Sequence, residues 1–228
     1  EILGMELDAI RVVPSACGGG FGSKLDVSFQ PYVALAAWVL GRPVRICYSR
    51  GESMRASTKR HPSDIWLTVG CDETGRISGF VFDGIFNTGA YASWGPTVAN
   101  RVPIHASGPY VTKDYRANSV AVHTNAPPAG AFRGLGVPQS AVAQECAFDL
   151  LAEKLGMDRL VFRRLNALKN GVPTVTGQVF NSGVGIDDCF AALEDSWHTA
   201  VASAASFNQT AISDDSPWRK GVGIASCW

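Results

Sequence analysis

Cys17-Gly18-Gly19-Gly20-Phe21-Gly22-Ser23-Lys24 carries four glycines within residues 18–22. Glycine tolerates positive φ and lets another molecule approach the main chain closely. A strand-like run, Ile10 to Val13, precedes the loop, and a long apolar segment, Asp26 to Leu40, follows it. Strand, glycine loop and helix in that order aim free N–H groups at an anion or an oxo group. A tight turn is the competing reading for one such loop. Two nucleotide motifs are excluded. Counted from Gly18, the P-loop pattern finds Ser23 in place of its second glycine and Leu25 in place of its hydroxyl residue. The dinucleotide pattern G-x-G-x-x-G ends on Ser23 when counted from Gly18 and on Leu25 when counted from Gly20.

A second stretch has the same character: Pro127-Pro128-Ala129-Gly130-Ala131-Phe132-Arg133-Gly134-Leu135-Gly136-Val137-Pro138-Gln139. Two bare-backbone loops, each followed by a helix-like segment, suggest one ligand held from two sides. At this point the chain resembles the large molybdenum-cofactor subunit of the xanthine dehydrogenase and aldehyde oxidase family. The resemblance rests on Gly18 to Lys24 and on Ala131 to Gly136 with Pro138-Gln139. It extends to Leu40-Gly41-Arg42-Pro43-Val44-Arg45 and Asn87-Thr88-Gly89-Ala90-Tyr91.

The resemblance implies a molybdopterin site, with the plain and dinucleotide forms both open. It implies cofactor contacts from Gly20, Phe21, Gly22, Ala131, Phe132, Arg133 and Gly134, and it sets the backbone of Phe21 and Arg133 near the metal. Donors suit this task because an oxo group and a pterin accept hydrogen bonds, and a fixed amide needs no reorganisation as charge develops. Substrate contacts fall to Leu25, Arg101 and Leu135. Leu25 stands where xanthine-oxidising relatives have a glutamate that bonds the purine. Leu135 stands where an aromatic packs on the purine ring, so it keeps an apolar wall without stacking. Arg101 can hold an oxo or carboxylate group, or form a structural ion pair. Together they suggest an aromatic heterocycle or acid, not clearly a purine, and the activity expected is hydroxylation of an aromatic heterocycle or aldehyde. Lys24 reads as a loop residue with a structural hydrogen bond. Gln139 and Gln178 read as cofactor contacts or caps.

Family enzymes hydroxylate an electrophilic C–H carbon with oxygen from water, using a glutamate base and a Lewis-acidic metal. Electrons leave through iron–sulfur clusters to a flavin, so iron–sulfur and FAD are expected on other domains or subunits. No catalytic residue is expected here: the family's glutamate lies downstream of Trp228, and Glu52, Glu145 and Glu153 have no matching context. The chain begins at Glu1 rather than Met, so residues 1–228 read as a fragment truncated at both ends, with a sub-boundary near 125–140, inactive alone. A non-catalytic scaffold that kept the fold but lost the cofactor is the second reading.

The elements that must position these loops follow from periodicity. Helices are expected at Glu1 to Leu7, Gln30 to Leu40 (apolar all round, hence buried), Gly51 to Ser57, Val98 to His105, Ser140 to Leu155, after the Asp158 cap, and from Asp187, with Ala200 to Asn208 extending the last or standing apart. Within Ser140 to Leu155, the apolar stripe is Val142, Cys146, Leu150 and Leu151. Strands are expected at Ile10 to Pro14, Val44 to Tyr48, Asp64 to Gly70, Ile77 to Asn87, Asn118 to Thr124 and Val222 to Ser226. Asp72-Glu73-Thr74-Gly75 is a hairpin turn. The class is α+β, mixed hairpin sheets packed with helices.

Of 228 residues, 46% are hydrophobic, enough for one sizeable core or two small ones. Zero net charge gives no reason to expect nucleic acid or an anionic membrane as partner. A small-molecule substrate and the iron–sulfur and flavin partners remain. No apolar run reaches transmembrane length, and a cytoplasmic location is expected. Six cysteines without a C-x-x-C pair read as buried free thiols, and four scattered histidines form no metal pair.

Overall fold

A computed structural model describes residues 2–13 and 16–228. Its elements are α1 (Gln30–Leu40), α2 (Arg50–Ala56), β1 (Ser63–Cys71), β2 (Ile77–Gly89), α3 (Gly95–His105), β3 (Asp114–His123), α4 (Val137–Leu155), α5 (Arg159–Asn166) and α6 (Ile186–Ser213). The strands form one sheet in the order β1-β2-β3. A tight turn closes β1 onto β2: Gly75 N–H donates to Asp72 C=O, Asp72 N–H donates to Arg76 C=O, and the Asp72 carboxylate accepts from the Thr74 and Arg76 amides. The crossover through α3 makes β3 run parallel to β2, with Arg116 beside Asp83 and His123 beside Gly89. The class is α+β with a mixed sheet, as expected.

The chain divides into two compact units, interleaved in sequence. The first comprises residues 1–64, 84–101 and 119–136, the second 65–83, 102–118 and 137–228. In the first unit, Phe86, Val98, Ala99, Ala129 and Ala131 are buried. Gly95 starts α3 against β2, and a Cβ there would lie 1.7 Å from Thr88 Oγ1.

The second unit has an aromatic core. Phe148 meets Tyr110 edge-on at 5.0 Å and Phe162 at 5.6 Å, and Phe190 stacks on Tyr110. Inside it sits Arg163, its side chain fully buried. Its Nε donates to Glu145 Oε2 at 2.7 Å, and Asp149 lies 2.8 Å from the same guanidinium. The other Glu145 oxygen accepts from Tyr110, Gln144 and the Ser226 N–H. Burial, and then the Glu145 charge, push the Tyr110 hydroxyl well above its usual range. Asn166 ties α5 to the hairpin, accepting from Ile77 N–H and donating to Gly75 C=O.

Several expectations are corrected. Residues 2–6 are not helical; a short 3₁₀ turn, Leu7–Ala9, follows them. Glu1, and Pro14 at the end of the first expected strand, lie outside the described residues. Ile10 to Val13, Val44 to Tyr48 and Val222 to Ser226 form no strand, because no described segment pairs with their backbone. Helix α1 spans its expected residues, with Pro31 in its first turn, yet none of it is buried. Tyr32, Trp38 and Val39 all stand exposed. The stripe Val142, Cys146, Leu150 on α4 is also exposed. The buried face is Val137, Ser140, Gln144, Glu145, Phe148 and Ala152, because the ion pair to Arg163 fixes the helix rotation. Residues 200–208 continue α6 without a break. The six thiols are unpaired, but five are exposed and Cys71 is half-buried.

The Asp158 cap is present, its carboxylate accepting from the Leu160 and Val161 amides. Among the described residues no helix is long and apolar enough to cross a membrane.

Candidate functional site

Residues 18–24 and 127–136, the two glycine loops, lie in the first unit, and they touch. A Cβ on Gly22 would sit 2.7 Å from the Ala131 carbonyl oxygen and 2.8 Å from Phe132 Cα. Gly22 has φ 93, so this position demands glycine for conformation and for space alike. The Phe21 ring folds back over Gly19, where a Cβ would be 2.7 Å from the ring. The Arg133 guanidinium lies over the Phe21 ring, 4.2 Å from its centre. Phe21 and Leu135 hold positive φ without being glycine, at 50 and 40. Such residues cost on the order of 1–3 kcal/mol each and persist where the surroundings over-determine them.

Neighbours hold each loop in shape. Lys24 Nζ reaches back to Gly19 C=O at 2.7 Å and to Cys17 Sγ at 2.9 Å. The Lys24 contact holds the exposed Cys17 thiol below its usual pKa. In the second stretch Gly130 is pressed between Ser93 and Asp26: a Cβ would be 2.7 Å from Ser93 Oγ and 2.8 Å from Asp26 Oδ2. Ser93 donates to Asp26 Oδ1 at 2.6 Å. Residues 58–61 run alongside. Lys59 N–H donates to Pro128 C=O and Gly130 N–H donates to Lys59 C=O. The Lys59 ammonium is bound by Ser53 C=O and by the Ser57 C=O and hydroxyl.

What this arrangement offers a ligand is backbone. Among the described residues, the N–H groups of Phe21, Gly22, Arg133 and Gly134 donate to no protein acceptor. A cavity of about 470 Å³ touches each loop at one residue, Ser23 of the first and Phe132 of the second, and is otherwise lined by residues that include Arg50, Met54, Lys59 and Arg60; Phe21, Gly22, Arg133 and Gly134 do not line it. Free amides from two touching loops suit a group rich in acceptor oxygens. No cluster of His, Cys, Asp or Glu among the described residues could hold a metal directly.

A profile of the molybdopterin cofactor-binding domain matches residues 1–167. The chain belongs to that family. This molybdopterin-binding domain is 41% identical over 185 residues to the nicotinate dehydrogenase large molybdopterin subunit of Eubacterium barkeri, covering 81% of this chain and 44% of the relative. It is 32% identical over 226 residues to the aldehyde oxidoreductase of Megalodesulfovibrio gigas, covering 98% of this chain and 24% of that one. Among solved structures it resembles the aldehyde oxidoreductase from Desulfovibrio gigas, with a TM-score of 0.79, 32% identity, and coverage of 83% of this chain and 21% of that chain. The domain spans less than half the length of these relatives. They place it in the xanthine dehydrogenase and aldehyde oxidoreductase family.

Of the expected cofactor contacts in the molybdopterin-binding domain, Gly20, Phe21, Gly22, Ala131, Phe132, Arg133 and Gly134, the structure brings Gly22 against Ala131 and Phe132, and Phe21 against Arg133. Leu25 is exposed, Leu135 half-buried in the second loop, and Arg101 half-buried at the end of the first unit's part of α3, where it has partners of its own. Gln139 and Gln178 fall in the second unit. Of the glutamates expected to have no catalytic role, Glu52 closes a capping box with Ser49, which lowers its pKa, and Glu145 pairs with Arg163. Sequence reasoning missed Arg60, whose Nη donates to the Arg133 carbonyl at 2.6 Å and whose guanidinium lies 4.8 Å from the Phe132 ring centre. The Lys59-Arg60 pair just ahead of a strand was the one signal for it.

Proposed function

We propose that this chain is the part of a molybdenum hydroxylase that cradles the metal-bearing face of molybdopterin, in an enzyme acting on an aromatic heterocycle or aldehyde. The observation that carries the reading is the seating of Gly22 on Ala131 and Phe132, which brings two distant stretches into contact where, among the described residues, the amides of Phe21, Gly22, Arg133 and Gly134 meet no protein acceptor. Bound molybdopterin would supply a Lewis-acidic centre that accepts two electrons as a substrate C–H carbon is hydroxylated with oxygen from water. The amides of Phe21, Gly22, Arg133 and Gly134 donate to the cofactor's acceptors, and because they are fixed by the loops they stabilise charge without reorganising. Leu25 and Leu135 give the substrate an apolar wall that suits a ring without purine-like polar edges. Arg101 orients a carboxylate or oxo group on that ring. The proton-accepting base comes from elsewhere in the full-length subunit, and iron–sulfur and flavin partners take the electrons. The cofactor is the plain pterin or its dinucleotide.

The test is metal analysis and turnover, on aldehydes and on heteroaromatic acids, of the full-length subunit beside residues 1–228 alone. The expected result is stoichiometric molybdenum and turnover in the former and neither in the latter. A full-length subunit without molybdenum would favour a scaffold that kept the fold and lost the cofactor.

A further inference from the structure

The second loop contains a turn whose central peptide can face either of two ways. Leu135 N–H donates to Phe132 C=O at 2.8 Å, closing a four-residue turn. Gly134, in the third position, has φ 86, while Arg133, in the second, is not among the positive-φ residues. That combination is a type II turn; type I differs from it chiefly by a flip of the central peptide, with the flanking backbone almost unmoved. Here the central peptide joins Arg133 to Gly134. Its carbonyl and its N–H point in opposite directions because the peptide is trans and planar. Whatever holds the Arg133 carbonyl therefore aims the Gly134 N–H.

Arg60 holds it. The guanidinium donates to the Arg133 oxygen at 2.6 Å and lies over the Phe132 ring, so it grips the first and second residues of the turn together. Its own backbone is anchored next door, where Lys59 pairs with Ala129 in a parallel bridge. Arg60 also lines the cavity beside both loops.

We infer that Arg60 is a positioning residue that locks the Arg133–Gly134 peptide in the type II orientation, so that the Gly134 N–H faces the cofactor instead of turning away from it. This rests on the reading that the second loop holds molybdopterin. Arg60 itself donates to the protein and needs no contact with the cofactor.

The experiment uses the full-length subunit. Molybdenum content of the wild type tests the underlying reading. A wild type without the metal removes that reading and, with it, this role for Arg60. In a metal-bearing wild type, Arg60→Met and Arg60→Lys are compared by hydrogen exchange of the peptide spanning residues 132–137 and by the Mo(V) electron paramagnetic resonance spectrum. A hydrogen bond from a charged donor is worth about 1.5–3 kcal/mol, so Arg60→Met should speed exchange in that peptide by about tenfold or more. It should also shift the Mo(V) spectrum while leaving exchange elsewhere in the subunit unchanged. Arg60→Lys keeps one donor and should fall between Met and wild type. Should Arg60→Met not fold, Arg60→Lys decides by the same two readouts. Wild-type exchange and a wild-type spectrum in the variant would overturn the inference.

Discussion

The guanidinium of Arg133 rests 4.2 Å from the centre of the Phe21 ring, joining the two glycine stretches through one cation–π contact. Such a contact contributes roughly 0.5–1 kcal/mol at an exposed site, too little to bring two loops together. The close approach of Gly22 to Ala131 is the stronger constraint.

Gly22→Ala should therefore part the loops. The new methyl would overlap the backbone of residues 131–132, which cannot move aside like a flexible side chain, and φ 93 adds strain. A loss of about 1–3 kcal/mol is expected from the conformation alone. In the full-length subunit, metal analysis should show molybdenum occupancy falling severely. Wild-type occupancy would separate the loop contact from cofactor binding.

Arg163→Met should destabilise the second unit by about 3–5 kcal/mol, because it strands the Glu145 charge in an aromatic core. The double variant Arg163→Met with Glu145→Leu should recover part of the loss, since apolar replacements of a buried pair approach neutrality. Urea unfolding followed by tryptophan fluorescence measures both. A single variant as stable as wild type would contradict the buried pair.

At the start of α5, burial opposes the Asp158 charge, but hydrogen bonds from the Trp197 indole and the Val161 and Leu160 amides outweigh it and hold the carboxyl below its usual pKa. A depressed folded-state pKa gives stability that is full above the unfolded pKa of about 4 and is lost as pH falls through the lower folded value. Asp158→Ala should cost about 1 kcal/mol at neutral pH. It should also flatten the decline in stability below about pH 4. Urea titrations across the acid range would show whether the two curves converge there.

Cys17 is exposed and its pKa is lowered, first by the Lys24 ammonium. Its alkylation by iodoacetamide should accelerate at a lower pH than that of a thiol with the ordinary pKa of about 8.5. Lys24→Met should move the Cys17 profile upward without altering Cys146. Mass spectrometry of the labelled peptides reads each site separately, and coincident wild-type and variant profiles would exclude the Lys24 contact in solution.

The glycine loops, the hairpin turn at Asp72 and the cap at Asp158 were legible because each is a local motif whose residues state their own backbone geometry. What failed was anything that depended on a partner. Ile10 to Val13, Val44 to Tyr48 and Val222 to Ser226 have strand-forming residues, but a strand exists only with a neighbour to pair with. On α4 the apolar spacing of Val142, Cys146 and Leu150 pointed to one face, while Glu145 and Gln144, polar and inside, set the actual rotation. Nothing in the sequence near Glu145 announces Arg163. Arg60 was overlooked for the same reason: its partner is the Arg133 carbonyl, and a main-chain acceptor leaves no mark in a sequence.

The seat of Gly22 on Ala131 and Phe132 leaves no slack for a methyl group. The two stretches consequently cannot drift apart in evolution as separate traits: a lineage that enlarges one must reshape the other at the same step. Engineers transplanting this cradle into a related subunit should move both stretches as a single heritable block.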